Sequence, residues 1–600
     1  MKKHSFLLLF LLLLFSAKAQ NYDDYLGAGH TGGITVTTSS DMQQNGWTKV
    51  ASGNKTITGD GLDAKLIEAS RLLSQATFGA DRATIEHVAE IGIEAWIEEQ
   101  FALEPTNYLE TIEEIYNYLY NYHVNNGGDP EDYPWRPNWS HFNYGWWEIT
   151  MSHEDLLAQR ISYALSQIMV VSINSDLQGY GDGLADFYDI FSRNAFGNFR
   201  DILREVTYHP SMGHYLSHLN NPKEDEENNI HPDENYAREV MQLFSIGLYE
   251  LNDDGSHMTD NEGNSIPTYD NYTIKEFAKI FTGLGLGGVI PNDWVDQPYF
   301  GLGFWVADVT TPMVMYEEQH QQGEKYLLNG HIVPAGQSGD QDIEDAIDNL
   351  FNHHNVGPFI GRQLIQRLVK SNPSPEYIAR VTAAFNDNGN GVRGDMKAVI
   401  RAILLDEEAR SCDWMNEVHN GKLREPILKY TQFAKSIGYD SPSGKMWNIG
   451  WGFRQATSQY PLASPSVFNF YLPDFQPIGE IAEAGLVAPE FQIYNTRTSI
   501  GFVNEVQVWT IWEYLWGSWE DEDHSTYTDF TAFIEASRDP EVLLNELDIR
   551  LTNGQLSDYT RQVIKDALLY LDGGGLYLFG ERVRLGTYLI MISPDYAVMR

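Results

Sequence analysis

The sequence predicts a mostly α protein: one large multi-helix body, of one or two lobes, carrying an irregular insertion with a small β-hairpin. Three observations lead there. Apolar residues recur at helical spacing through most of the chain after residue 62. Strand-like alternation is confined to short runs, and neither a repeat of about 20–50 residues nor a long Pro/Gly/Ser-rich linker divides the chain. With 600 residues, one extensive core can be buried.

Residues 1–19 begin with Lys2 and Lys3, continue through an apolar run at 6–15 and end in Ala17-Lys18-Ala19. This is the layout of a secretory signal peptide cleaved before Gln20. The expected location is therefore outside the cytoplasm, periplasmic or extracellular, with no membrane span after cleavage. Residues 20–61, rich in Gly, Thr, Ser and Asn, read as an extended arm with one β-like run, Ile34-Thr35-Val36-Thr37. The helical body, 62–600, follows. Its first helices are expected at 62–75, 81–89, 93–101, 107–123, 153–171, 183–194, 199–207, 233–251 and 273–282.

Between 253 and 340, apart from 273–282, periodicity gives way to Gly, Pro and aromatic residues. Within this insertion Lys325–Leu328 and His331–Val333 flank Asn329-Gly330, a strong signal for a hairpin turn that needs two left-handed residues. Long ordered loops on a helical body often carry function. Helices resume at 343–353, 356–370, 376–385, 395–405, 422–438, 499–515, 528–537, 539–551, 557–571 and 581–593.

Composition narrows the function. Forty Lys and Arg against 84 Asp and Glu give a formal charge of −44, and loss of Lys2, Lys3 and Lys18 with the signal segment makes it more negative. Phosphate backbones need a basic field, so nucleic acid is not an expected partner. Cys412 is the sole cysteine, so the fold rests on packing without intramolecular disulfides. Aromatic residues make up 13 % of the chain; most belong in a core, and some can stack on sugar faces.

The clearest polar constellation is the helix that follows Pro232-Asp233. At about 100° per residue, Glu234, Asn235, Arg238, Glu239, Gln242 and Ser245 share one face, with Tyr236, Val240, Met241 and Phe244 on the other. Two carboxylates and a guanidinium suit acid–base work, and equally a structural ion-pair network. Just upstream, His209 is a candidate acid–base group. His214 and His218 have the i, i+4 spacing of divalent-metal ligands, with His231 and Glu234 nearby, although two histidines alone also serve as caps and hydrogen-bond partners. In the insertion, His320 follows Glu317 and Glu318 and offers a second imidazole–carboxylate pair. The glycine runs 27–32 and 283–288 have dinucleotide-loop spacing but no surrounding βαβ unit, and the Asn386–Lys397 loop lacks the final carboxylate of a calcium loop.

Several strings are more specific: RLLSQATFG (71–79), LLAQRISYALSQIMVVS (156–172), FGNFRDILREVTYHPSMGHYLSHLNN (196–221), HPDENYAREVMQLFSIGLYELN (231–252), NVGPFIGRQLIQRLVKSNPSPEYIARV (355–381), GVRGDMKAVIRAILLDEEAR (391–410), KLREPILKY (422–430) and SPSVFNFYLPDFQP (464–477). In this order they resemble the bacterial family catalogued as domain of unknown function 1800, from about residue 64 to the end. The resemblance implies a large, exported, mostly helical protein without accepted catalytic residues. It also implies a possible partner, an exported phosphatase- or sulfatase-like protein of the domain of unknown function 1501 family. Two function classes follow. One is an exported hydrolase or lyase acting on an extracellular polymer such as glycan, through Glu234, Arg238, Glu239, His209 and His320, with a divalent metal at His214 and His218 as an option. The other is a non-catalytic scaffold or binding protein working with that partner.

Overall fold

Helices begin where a side chain supplies the acceptor that the first backbone N–H groups lack. Asp63, Asp81 and Asn107 accept from Lys65, Thr84 and Glu110, opening α1 (Ala64–Ala76), α2 (Arg82–Ile91) and α4 (Tyr108–Asn125), with α3 (Ile93–Phe101) between them. The computed structural model describes residues 63–411, 419–448, 450–517, 524–571 and 576–600. The expected signal peptide 1–19, the arm 20–61 and Cys412 lie outside them.

The chain continues through α5 (Trp139–Ser152), α6 (Leu156–Ser166), α7 (Gly181–Arg193), α8 (Phe199–Tyr208), α9 (Pro210–Tyr215), α10 (Asn235–Gln242) and α11 (Asn271–Ile280). After the insertion come α12 (Gly339–Phe351), α13 (Val356–Leu368), α14 (Pro375–Asn386), α15 (Met396–Leu404) and α16 (Glu407–Arg410). The last part holds α17 (Pro426–Ile437), α18 (Trp451–Thr457), α19 (Glu480–Glu483), α20 (Thr496–Thr510), α21 (Pro540–Leu547), α22 (Asp558–Tyr570), α23 (Leu576–Met591) and α24 (Pro594–Ala597). No described helix is long and apolar enough to cross a membrane.

One apolar cluster runs from Leu72 and Leu73 in α1 to Ile590 in α23 and Tyr596 in α24, so the mostly α body shares a continuous core. Helix α1 and the C-terminal residues are tied together. Arg71 donates to the Arg410 carbonyl at 3.0 Å and the Arg600 carbonyl at 3.2 Å. The strand Lys422–Leu423 pairs antiparallel with Val598–Met599. Gly79 marks a close approach between the loop after α1 and α17: its φ is +110°, and an added Cβ would lie 2.5 Å from the Gln432 Cα. Gly79→Ala therefore combines left-handed strain with a backbone clash, for an expected loss of about 3 kcal/mol. Urea unfolding of the variant measures it, and an unchanged midpoint would show that the contact is not tight.

The hairpin forms as expected. Lys325 pairs with Val333 and Tyr326 with Ile332, and Asn329 (φ 56°) and Gly330 (φ 71°) are both left-handed. The run 283–288 enters a strand pair, Leu284 with Met315 and Gly285 with Val314, instead of a nucleotide loop. Other expectations are corrected. The helix expected at 233–251 spans only Asn235–Gln242, because Gly247 is left-handed against the Phe359 ring and the chain turns into short antiparallel bridges. The helix expected at 153–171 stops at Ser166. Residues 528–537 form a strand end and two single 3₁₀ turns, and 539–551 ends in a π turn after Leu547. Helix α5 has no counterpart among the expected elements.

Candidate functional site

Three helices and one insertion strand enclose the cleft with the best-placed chemistry. Asp186 and Arg193 reach it from α7, Arg204, Glu205 and Tyr208 from α8, and Asp340, Gln341 and Glu344 from the first turns of α12. Residues 310–315 form the fourth side, and the cavity measures about 850 Å³. The junction between α8 and α9 organises it. His209 caps α9: its Nδ1 accepts the Ser211 N–H at 3.0 Å, so the ring proton sits on Nε2, 3.1 Å from Asp186 Oδ2. The preceding residue, Tyr208, donates its hydroxyl to Asp340 at 2.8 Å. Two consecutive residues thus hold carboxylates from two different helices on the same cleft. Burial raises the Tyr208 phenol well above its usual range, and the Asp340 charge adds to the effect. The phenol therefore stays a donor.

The remaining charges in the cleft are paired. Arg193 binds Glu205, and Arg204 donates to Glu344 at 2.5 Å. Burial opposes ionisation of Glu344, but its bonds to Arg204 and Arg200 outweigh it and hold the carboxyl below its usual value. Asp186 and Asp340 are the carboxylates of this cleft held by neutral donors.

His320 lies beneath the cleft and has no exposed surface. Its Nδ1 donates to the Thr282 carbonyl at 2.8 Å and its Nε2 lies 2.9 Å from Asp342, which also binds Lys325. Burial works against the Asp342 charge, yet the His320 and Lys325 bonds keep this carboxyl below its ordinary value. The trio ties the insertion to the first turn of α12 that presents Asp340. It braces one wall of the cleft and does not line it.

The other candidate residues are dispersed. Glu234 and Arg238 pair at 3.1 Å, both partly exposed, beside a separate groove lined by His231, Lys275 and Lys279. Glu239 turns inward on α10; burial raises its carboxyl and Oε2 has no hydrogen-bond partner. The expected polar face of this helix is therefore split between surface and interior. His214 and His218 do not share a helix face: α9 ends at Tyr215 and Ser217 is left-handed. The His214 ring stacks on Phe304 at 4.2 Å. His218 stacks on Tyr236 at 3.9 Å and bonds the Thr207 carbonyl through Nε2 at 2.9 Å.

Among the described residues, Glu250, His353 and His354 bring metal-type ligand atoms within 4.8 Å of one another. Their chemistry does not fit a metal. A ligating imidazole keeps its proton on the other nitrogen, whereas His353 Nδ1 accepts the Asn355 N–H at 3.2 Å. The Arg393 charge also acts on this ring. Within the trio, His354 Nε2 lies 2.9 Å from Glu250.

A second polar centre, fully buried, joins four of the specific strings. Arg160 (156–172), Arg367 (355–381), Lys422 and Glu425 (422–430) and Tyr471 (464–477) meet there with Glu490. Lys422 contacts Glu490 at 3.0 Å and donates to the Gln366 and Arg367 carbonyls at 2.9 and 2.7 Å. Glu425 accepts from Tyr163 at 3.0 Å and Gln167 at 2.8 Å, and also from Gln459. Burial pushes Glu490 up and Lys422 down. The signal for this centre was carried by Arg160 and Arg367, charges embedded in otherwise apolar stretches of helix. Comparison with curated proteins and with solved structures finds no match. The family model described as "Protein of unknown function (DUF1800)" matches residues 71–598, and the chain belongs to that family.

Proposed function

We propose that this chain is an exported hydrolase acting on an extracellular polymer such as glycan, with the Asp186–His209 and Asp340–Tyr208 cleft as its active site. The observation that carries the reading is the pair of carboxylates on one open cleft, each oriented by a neutral donor from adjacent residues of one junction. Glycosidic bonds are commonly cleaved by two such carboxyl groups. Asp186, whose Oδ2 is held by His209, takes the proton of the attacking water. The leaving sugar oxygen takes its proton from a solvent water held by Asp340, which is exposed and accepts the Tyr208 hydroxyl. His209 is a positioning residue, because its proton is committed to Asp186 and its other nitrogen to the Ser211 amide. The earlier pairing of Glu234 and Glu239 is less suited, since one faces solvent and the other the interior.

The test is reducing-end release from a panel of soluble polysaccharides by the full chain. Wild type is expected to release sugar from at least one of them. Asp186→Asn is expected to reduce the rate by about 10²-fold or more, with unchanged urea stability. His209→Gln is expected to retain more activity than Asp186→Asn. No release from any polymer, or equal release by Asp186→Asn, would exclude the cleft as a hydrolytic site.

A further inference from the structure

We infer that a groove beside this cleft is a binding site for a neutral polysaccharide, built on Trp135, Tyr180, Trp294 and Trp305. The inference deepens the polymer reading by naming the substrate class, but rests on a separate set of side chains. Among the described residues four tryptophans are exposed, and three of them, Trp135 at 62 %, Trp294 at 85 % and Trp305 at 57 %, line this one groove of about 580 Å³. Single exposed apolar residues are ordinary on a protein surface; three indole rings gathered on one groove are not.

The groove is preorganised. Trp294 sits on a turn in which Asn292 Oδ1 accepts the Trp294 N–H at 2.9 Å and the Val295 N–H at 3.1 Å. The Trp305 ring lies against Gly303, where an added Cβ would meet it at 2.7 Å. Beneath them the insertion closes on itself, with Val289 bridged to Ala307 and Ile290 donating to the Val306 carbonyl at 2.9 Å. On the opposite wall the Arg136 guanidinium lies 4.9 Å from the Trp135 ring and 4.7 Å from the Tyr180 ring, and is fixed by Asp182 at 2.7 Å. Insertion and helical body each contribute aromatic rings, Trp294 anchored through its backbone turn and Trp135 and Tyr180 through the Arg136 guanidinium.

The chemistry selects a sugar. Aromatic faces pack on the apolar C–H faces of pyranose rings, and Asn292 and Asp293 place polar groups among them for hydroxyls. An apolar protein helix would call for a continuous aliphatic trough, which separate indoles interrupted by Asn and Asp do not form. An acidic polysaccharide is disfavoured: Arg136 is already neutralised by Asp182, the other charge in the groove is Asp293, and the chain carries −44 overall. Tyr180 immediately precedes α7, and Asp186 lies six residues on, about 9 Å along the helix axis.

Affinity electrophoresis of the full chain in gels containing barley β-glucan, xylan, galactomannan or polygalacturonate tests this, using Asp186→Asn protein to prevent turnover. Retardation is expected in at least one neutral gel and not in polygalacturonate. Trp305→Ala and Trp294→Ala are each expected to weaken binding tenfold or more, whereas Trp512→Ala, exposed elsewhere, leaves it unchanged. No retardation in any neutral gel, retardation only by polygalacturonate, or retardation that survives Trp294→Ala/Trp305→Ala would overturn the assignment. Binding without turnover by wild type would remove the hydrolytic reading and leave this one standing; turnover unaffected by loss of the tryptophans would do the reverse.

Discussion

Lys422→Ala is expected to destabilise the protein by about 3–5 kcal/mol, the range for breaking a buried ion pair from one side. Lys422 is fully buried and donates to two carbonyls as well as to Glu490. Its removal takes the ion-pair contact from Glu490, which is 2 % exposed, sits beside the like charge of Glu425 and has Oε2 already lacking a hydrogen-bond partner. The cost comes mainly from that stranded charge. The double variant Lys422→Met/Glu490→Leu, which removes both charges at similar volume, should therefore be more stable than Lys422→Ala. Urea unfolding of the two singles and the double gives the coupling. If Lys422→Ala costs no more than Lys65→Ala at the exposed start of α1, the buried centre does not support the fold.

This centre shows what the sequence could and could not disclose. Arg160 in LLAQRISYAL stands out as a charge within apolar periodicity, whereas Glu425 in KLREPILKY does not, because Lys422, Arg424 and Lys429 stand beside it. The partners of Arg160 were not legible, because Arg160 and Arg367 are brought together across 207 positions. Helix ends were readable wherever a cap was local, as at Asp81, Asn107 and Ser374. The Asn329-Gly330 turn was readable for the same reason. Helix α5 was not, since Phe142, Tyr144, Trp146, Trp147 and Ile149 are buried around nearly its full circumference and leave no polar stripe to reveal the period.

The candidate site was legible only in part. His209 was singled out, but its partner Asp186 shares α7 with Asp182 and Asp189 at i, i+4 and i+7, which reads as an ordinary solvated face. The structure gives those three residues three purposes. Asp182 fixes Arg136, Asp186 faces the cleft, and Asp189 accepts the Tyr108 and Leu109 amides at 2.7 and 2.9 Å to start α4. Helical spacing also misled at His214 and His218, because a single left-handed residue, Ser217, ends the periodicity between them. Local pattern identifies the face of an element; it does not say what that face meets.

Stability is expected to fall as the pH drops from about 6.5 to about 4, driven by three buried histidines. Burial lowers His141, His218 and His353 to about 4. For a base depressed in the folded state, the unfolded chain binds the proton first, so stability is fully present above the unfolded value near 6.5 and is lost as pH falls through the folded value. Each histidine then contributes on the order of 3 kcal/mol. His218 shows the cause: its Nε2–H already serves the Thr207 carbonyl, its ring is stacked on Tyr236, and Nδ1 has no partner, so a second proton would be buried without an acceptor. Asp189 acts in the opposite sense. Burial outweighs its two amide bonds and raises it to about 7, so its contribution is present at low pH and is lost as pH rises through 7. The slope, not the absolute stability, therefore isolates the histidine effect. Urea stability measured at intervals from pH 7 to 4 should rise more gently with pH in His218→Gln than in wild type, by about 1.4 kcal/mol per pH unit, one proton's worth, between 4.5 and 6. Parallel slopes for the two proteins would mean that His218 takes up its proton equally in both states, and its tight packing on Tyr236 and Thr207 would have no part in the acid sensitivity.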